Sequence, residues 1–380
     1  MGHGNAKRAW VTLLTRSSYL PGVITLAYTL REHSTAYPLI VLTTPSLPQS
    51  ALHALELEAK FNDRVIVQQI EPLLPPGSVT LIAARFEDTW TKLRAFELTD
   101  YETCVFLDAD ITVYRNMDEI FDLELPDPTT WIAANHACVC NLDHDSWAAD
   151  NWKAENCAWA PLKHPESLTS ATPVPSTEVP PHTHCLLNGG LLLYHPSQKL
   201  WTAMMDHFRT SSKLSSYQFP DQDFFADFFL HRWMPLPWRY NALKTMKQWH
   251  TNIWRDHEVC GLHYIVDKPW QSRIASDGVA GHLGRDAITH SWWWQVWDEW
   301  RGNRMTGGDR NGTELVRILE ESVAKPLDEE GDRRQCAENK KNGLPLPVPE
   351  SAANSKKDGD ANPLLNFRVS RKPRLGERGP

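Results

Sequence analysis

The segment Phe106-Leu107-Asp108-Ala109-Asp110 ends an apolar run on two carboxylates separated by one small residue. Where a strand runs out into a loop, the alternation of side chains breaks, and both carboxylates can turn toward one point. Side by side they repel each other unless a divalent cation holds them together. A hard cation there would neutralise a bound diphosphate and help it leave. An Asp-x-Asp tripeptide alone could equally cap a turn, so its weight comes from the strand-like run before it. A second group is His263-Tyr264-Ile265-Val266-Asp267-Lys268-Pro269-Trp270. One imidazole nitrogen of His263 could complete a metal site, and Lys268 could meet a phosphate as a point charge. Without the acidic motif, the pair would read as an ordinary surface loop. A third is Phe219-Pro220-Asp221-Gln222-Asp223, opening the apolar run 224–230, where either aspartate could simply cap a helix.

Groups so far apart in sequence need a scaffold that ends several strands at one edge. Residues 9–15 (AWVTLLT), 39–43 (LIVLT), 64–68 (RVIVQ) and 103–107 (TCVFL) read as strands. Between them, 19–32, 49–61 and 90–98 carry the apolar spacing of helices. The run TCVFL has no polar face and belongs inside a sheet covered on both sides. Residues 185–194 (CLLNGGLLLY) return to strand character before a helix at 197–209. This alternation predicts an α/β fold with a mostly parallel central sheet, and such sheets bind ligands at the carboxyl edge of their strands.

Residues 138–182 show no period and hold three Trp, six Pro and a Ser/Thr-rich stretch, which reads as a long insertion. His136, Cys138, Cys140, His144 and Cys157, closed by His182, His184 and Cys185, form a set that could bind Zn²⁺. The spacing Cys-x-Cys-x₃-His fits no common zinc module, and buried free thiols are the expectation. The insertion's Trp147, Trp152 and Trp159 either shape an acceptor pocket or pin the loop. Trp293, Trp297 and Trp300 make one helical stripe within 287–301, expected to pack on the domain. Many of the 17 Trp are expected to sit half exposed, since burial requires a partner for each indole N–H. From 327 to 380 the chain is rich in Pro, Gly, Asn and charge, and is expected to be disordered.

Composition narrows the function. Thirty-nine Lys and Arg against 47 Asp and Glu give a net charge of −8, against a nucleic-acid partner held by phosphate contacts. A phosphate site in so acidic a chain must be built from a few placed cations and a metal. No apolar run approaches the roughly 20 residues of a membrane span. The first eight residues lack the apolar core of a secretory signal, and Ala6 stands where a myristoylation signal wants Ser or Thr. Seven Cys without a Cys-x-x-Cys pair suit reduced thiols, so a cytoplasmic location is expected.

In this order, Asp-x-Asp, Asn-Gly-Gly within a strand, Asp-Gln-Asp, and His-Tyr-x-x-x-Lys-Pro-Trp, the motifs resemble those of glycosyltransferase family 8, over roughly residues 10–270. That family includes glycogenin, galactinol synthase and plant glucuronosyltransferases. The resemblance implies a single GT-A domain, Rossmann-like, over 8–326. It also implies a UDP-sugar donor, Mn²⁺ or another divalent cation, and transfer with retention at the anomeric carbon. Asp108, Asp110 and His263 would be the metal ligands, with Asp108 and Ala109 beside the nucleotide. Lys268 would hold the diphosphate. Leu13 and Thr15 would offer backbone contacts to uracil, and Tyr19 would stack on it. Lys92 and Arg85 would lie near the donor sugar and phosphate. Asn188, Gly189 and Gly190 match the strand facing the sugar, and Asp221 and Gln222 match the pair beside the reacting carbon.

Two departures bear on the acceptor. Self-glucosylating glycogenins carry an acceptor Tyr between their Tyr-Asn dipeptide and the metal His, whereas residues 242–262 here contain none. Pro220-Asp221-Gln222-Asp223 also replaces the usual Gly-Asp-Gln-Gly. Both favour an external acceptor, a small polyol or a glycan, with galactinol-synthase-like transfer the leading reading and glycogenin-like self-glucosylation the alternative. In the last motif Ile265-Val266-Asp267 stands where the family usually has a glycine. A nucleotidyltransferase would begin with a Gly-rich basic loop, and residues 13–19 hold no Gly. A lectin-like binder with a Trp-rich groove would need neither Asp108 nor His263. The oligomeric state is open, a homodimer included.

Overall fold

Short apolar runs bounded by polar or breaker residues form the strands of the structure, a computed structural model that describes residues 7–76, 88–169 and 181–344. They are β1 (Arg8–Leu14), β2 (Leu39–Thr43), β3 (Val65–Gln69), β4 (Thr103–Leu107), β5 (Ile111–Val113), β6 (Ile132–His136), β7 (Leu187–Tyr194), β8 (Trp233–Pro235), β9 (Ala242–Leu243) and β10 (Gly261–His263). The helices are α1 (Leu20–Glu32), α2 (Gln49–Phe61), α3 (Gln198–Thr210), α4 (Pro220–Phe228), α5 (Met246–Trp249), α6 (Ala287–Met305), α7 (Arg310–Glu320) and α8 (Glu329–Lys341).

Seven strands form the main sheet in the order β3-β2-β1-β4-β7-β6-β8. Only β7 runs against its neighbours, so the sheet is mostly parallel, as the sequence predicts. The fully apolar β4 occupies its centre, buried on both faces. In β1, Trp10 and Leu14 face one apolar cluster, with α1, α2 and the tryptophans of α6. Ala9 and Val11 face a second cluster, with α3, α4 and the 3₁₀ segment Thr89–Glu97. This is the period-two alternation of a strand covered on both sides. The register Val11↔Phe106 brings the carboxyl ends of β1 and β4 out on one edge.

Beyond that edge β5, β10 and β9 make a three-stranded ribbon, with His263 opposite Ile111 and Leu243. These strands hold two or three residues each, too few for a readable pattern.

Three expectations change. Thirteen of the 17 Trp are buried rather than half exposed, several with buried acceptors for their N–H groups, although the indole N–H groups of Trp233, Trp238 and Trp294 are buried without an acceptor. Trp10 donates to Thr35 Oγ1 (2.8 Å), Trp293 to Thr25 Oγ1 (3.1 Å) and Trp270 to the Ser18 carbonyl (2.9 Å). The helix read at 90–98 is the 3₁₀ segment Thr89–Glu97. The tail expected to be disordered from 327 begins with α8, which is poor in apolar residues and is held by polar contacts. Asp332 accepts from the Ser276 amide (2.7 Å), and Asn339 donates to Asp277 (3.0 Å).

Candidate active site

A cavity of about 540 Å³ opens at the carboxyl edge of β1 and β4. Fourteen of the fifteen site positions read from the sequence line it. The fifteenth, Arg85, lies outside the described residues.

After β4 the chain turns at once, the Ile111 amide donating to the Asp108 carbonyl (3.0 Å), and this turn directs both carboxylates to one point. The turn packs under the start of α1: a Cβ on Gly22 would meet the Ala109 carbonyl oxygen at 2.1 Å. Pairing of β5 with β10 sets His263 beside Asp110, and the Tyr264 amide donates to the Asp110 carbonyl (2.9 Å). His263 Nε2 lies 3.3 Å from Asp110 Oδ1 and 3.8 Å from Asp108 Oδ2. Its Nδ1 donates to Asn241 Oδ1 (2.9 Å), while the Asn241 amide nitrogen donates to Asn188 Oδ1 (2.8 Å). That chain orients the ring and aims Nε2 at the carboxylates. A ligand atom from each of the three residues lies within 4.8 Å of the others, so they could hold a divalent cation.

Two buried lysines complete the floor. Lys92 pairs with Asp108 (2.8 Å) and Asp221 (2.5 Å), and Lys268 pairs with Asp110 while donating to the Tyr264 carbonyl (2.7 Å). Burial would raise the Asp110 carboxyl, but Lys268 and then His263 outweigh it and hold Asp110 well below the usual carboxylate range. Asp108 is pushed up, by burial first, against the charge of Lys92 and with Asp110 nearby. For Lys92, burial opposes the charge, but Asp108 and Asp221 together raise its pKa.

At the start of α4 the two aspartates divide the work. Asp223 accepts from the Gln218 (2.7 Å) and Phe219 (2.9 Å) amides and ties down the helix start. Asp221 makes no cap and turns to Lys92. Gln222 Oε1 accepts from the Asn188 side chain (3.3 Å), linking α4 to the glycines of β7. A Cβ on Gly190 would stand 2.4 Å from His263 Cε1. Gly190→Ala is therefore expected to displace the imidazole and cut turnover about 10²-fold without unfolding the chain. Nucleotide release and circular dichroism check this together.

Around the mouth, Tyr19 packs edge-on against Trp270 (centroids 6.1 Å apart), with Lys268 Nζ 5.7 Å from the Tyr19 ring centre. Arg16 pairs with Asp88 (2.5 Å). The Val266 side chain is exposed and its φ of 67° is left-handed, a strained state for a β-branched residue, within the stretch 265–267 where the resemblance has a glycine. The charge of Asp267 is met by Lys244, fully buried and 2.8 Å away, which also holds Asp286 at 2.7 Å. Burial would raise the Asp267 carboxyl, and Lys244 outweighs it and lowers it. Sequence reasoning assigned nothing to Asn241 or Lys244, since neither carries a local signal of long-range pairing. In the same cavity lining, Trp147, Trp152 and Phe219 form an aromatic group, Trp152 stacking on Phe219 (6.0 Å), and Asp143 and Asp145 also line the cavity.

The family description "Glycosyl transferase family 8" matches residues 10–273. Galactinol synthase 6 of Arabidopsis thaliana is 29% identical over 306 residues, 79% of this chain and 83% of that protein. Galactinol synthase 2 of Solanum lycopersicum is 29% identical over 302 residues, 77% and 81% of the two chains. Among solved structures the bifunctional glycosyltransferase WbbM superposes with a TM-score of 0.50 at 15% identity, over 78% of this chain and 52% of that one. That likeness concerns the fold alone, and the chain spans about half of WbbM's length. With the motifs gathered round one cavity and the match running across most of the described residues, the chain belongs to glycosyltransferase family 8.

Proposed function

We propose that this glycosyltransferase moves a galactosyl group from UDP-galactose to a small polyol, with retention at the anomeric carbon and with Mn²⁺ as the cation. The observation that carries this reading is the division of one cavity between an acid–imidazole–lysine floor and an aromatic, acidic wall. The galactinol synthases among its relatives support the choice of sugar and acceptor. Asp108, Asp110 and His263 would hold Mn²⁺ through two carboxylates and Nε2, and the bound ion would supply positive charge opposite a diphosphate leaving group. Lys268 would add a fixed charge to that end of the donor. Lys92 anchors Asp108 and Asp221 together, which would keep the Asp221 carboxylate and the Gln222 amide beside the sugar as it becomes cation-like. Gly190 leaves room for the His263 imidazole against β7, and Gly189 lets Asp221 and Gln222 close on the same strand. Elsewhere in the lining, aromatic faces suit the C–H faces of a ring and the Asp145 carboxylate suits its hydroxyls, while Asp143 is paired with Arg285. No helix among the described residues is long and apolar enough to cross a membrane, and the seven free thiols suit a reducing compartment such as the cytoplasm.

The test is UDP release from UDP-galactose and from UDP-glucose, with and without Mn²⁺, over a panel of small polyols that includes myo-inositol. Release that needs the metal, prefers UDP-galactose and rises at least tenfold with one polyol is the expected result. Stepwise hexose additions to the chain itself, seen by intact mass, would replace this reading with self-glycosylation. Absence of nucleotide-sugar binding in the presence of Mn²⁺ would overturn the donor assignment.

A further inference from the structure

Outside the catalytic floor, three sulfurs and one ring nitrogen converge on a single point. Cys138, Cys140 and Cys157 Sγ lie 3.2, 3.4 and 3.7 Å from His250 Nε2. The four ligand atoms all lie within 4.8 Å of one another, and Cys140, Cys157 and His250 are buried. An imidazole nitrogen has one proton or one lone pair, enough for one sulfur and not for three. The cysteines are free thiols, so no disulfide accounts for their approach. With Zn–S of about 2.3 Å and Zn–N of about 2.0 Å, a tetrahedral ion requires N···S separations of about 3.5 Å. The observed distances bracket that value.

We infer that Cys138, Cys140, Cys157 and His250 form a structural Cys₃His zinc site. Three thiolates and a neutral imidazole leave no open position on a tetrahedral ion, which makes the site structural rather than catalytic. The donor set selects zinc over the hard cations suited to Asp108 and Asp110. Cys138 and Cys140 follow β6, Cys157 follows the short 3₁₀ turn Ala154–Asn156, and His250 follows α5. Between 138 and 169 the only helical pieces are that turn and Glu166–Leu168, so little backbone pairing holds this segment. The ion fastens it to the body. Trp147 and Trp152 lie in the loop closed between Cys140 and Cys157, so the same site sets the aromatic wall of the cavity. Of the His and Cys residues noted in the insertion, only the three cysteines take part, and the fourth ligand comes from 93 residues beyond Cys157. No spacing rule could have found it.

The experiment is elemental analysis of the untagged full chain, purified without chelator, followed by cobalt exchange. About one zinc per chain is expected, retained in Asp110→Asn and lost in Cys157→Ala and in His250→Ala. Cobalt in the wild-type chain should give a thiolate-to-cobalt charge-transfer band. Cys138, the ligand thiol that is only part-buried, should resist a thiol reagent, as located by peptide mapping, until the metal is stripped, and stripping should lower the melting temperature by about 5–10 °C. None of these readouts uses sugar transfer, so they stand or fall apart from the proposed activity. A wild-type chain that takes up neither zinc nor cobalt overturns the inference. So does zinc that leaves with Asp110→Asn but stays in Cys157→Ala, or a Cys138–Cys140 disulfide in the native protein.

Discussion

Asp110→Asn is expected to lower turnover by about 10³-fold while leaving a folded chain. Asp110 touches both His263 and Lys268 from a buried position. Asparagine keeps the volume and removes the charge, so the proposed cation site would lose a ligand and Lys268 its counter-ion together. Removal of one electrostatic group at a developing charge costs about 10²–10³ in rate. A change that disables two such groups belongs at the top of that range. Stability should fall too, because breaking a buried ion pair costs about 3–5 kcal/mol. The lower end applies, since Lys268 keeps the Tyr264 carbonyl and borders a cavity open to water. UDP release with Mn²⁺ and thermal melting measure the two effects separately. Turnover within tenfold of wild type would exclude Asp110 from the reaction.

The largest expected loss of stability lies far from the cavity. Glu58 in α2 is fully buried and accepts from Arg304 Nε (3.1 Å), from the other arm of that guanidinium, and from Trp300 Nε1 (3.1 Å). Arg304 is also buried, with Phe61 4.6 Å from its guanidinium carbon. The pair joins α2 to the end of α6. Glu58→Ala would leave a buried guanidinium without a counter-charge, at a cost of about 3–5 kcal/mol and a fall in melting temperature of about 4–7 °C. The double change Glu58→Met with Arg304→Met should recover much of this loss, since the cost comes from the unpaired charge. Transfer activity per folded molecule should stay unchanged, because neither residue lines the cavity. A loss under 1 kcal/mol in denaturant unfolding of Glu58→Ala would show that water reaches Arg304.

The sequence by itself determined the sheet and the acidic motif. The strands β1, β2 and β4 were legible because a strand buried on both faces is apolar at most positions, and the polar break after Leu107 marked the sheet edge. Lys92 and Lys268 were legible through motif position, but not their pairing with Asp108, Asp110 and Asp221, which joins residues up to 158 positions apart. The short β9 and β10, and with them Asn241, were invisible because two or three residues carry no period. Only the tertiary structure decided that Asp221 serves Lys92 while Asp223 caps α4, since both aspartates suit a helix start. It alone drew His250 to the three cysteines, and it alone buried Trp10, Trp270 and Trp293 against acceptors from distant elements. Local pattern specifies what a segment must bury, and long-range packing decides which polar groups meet.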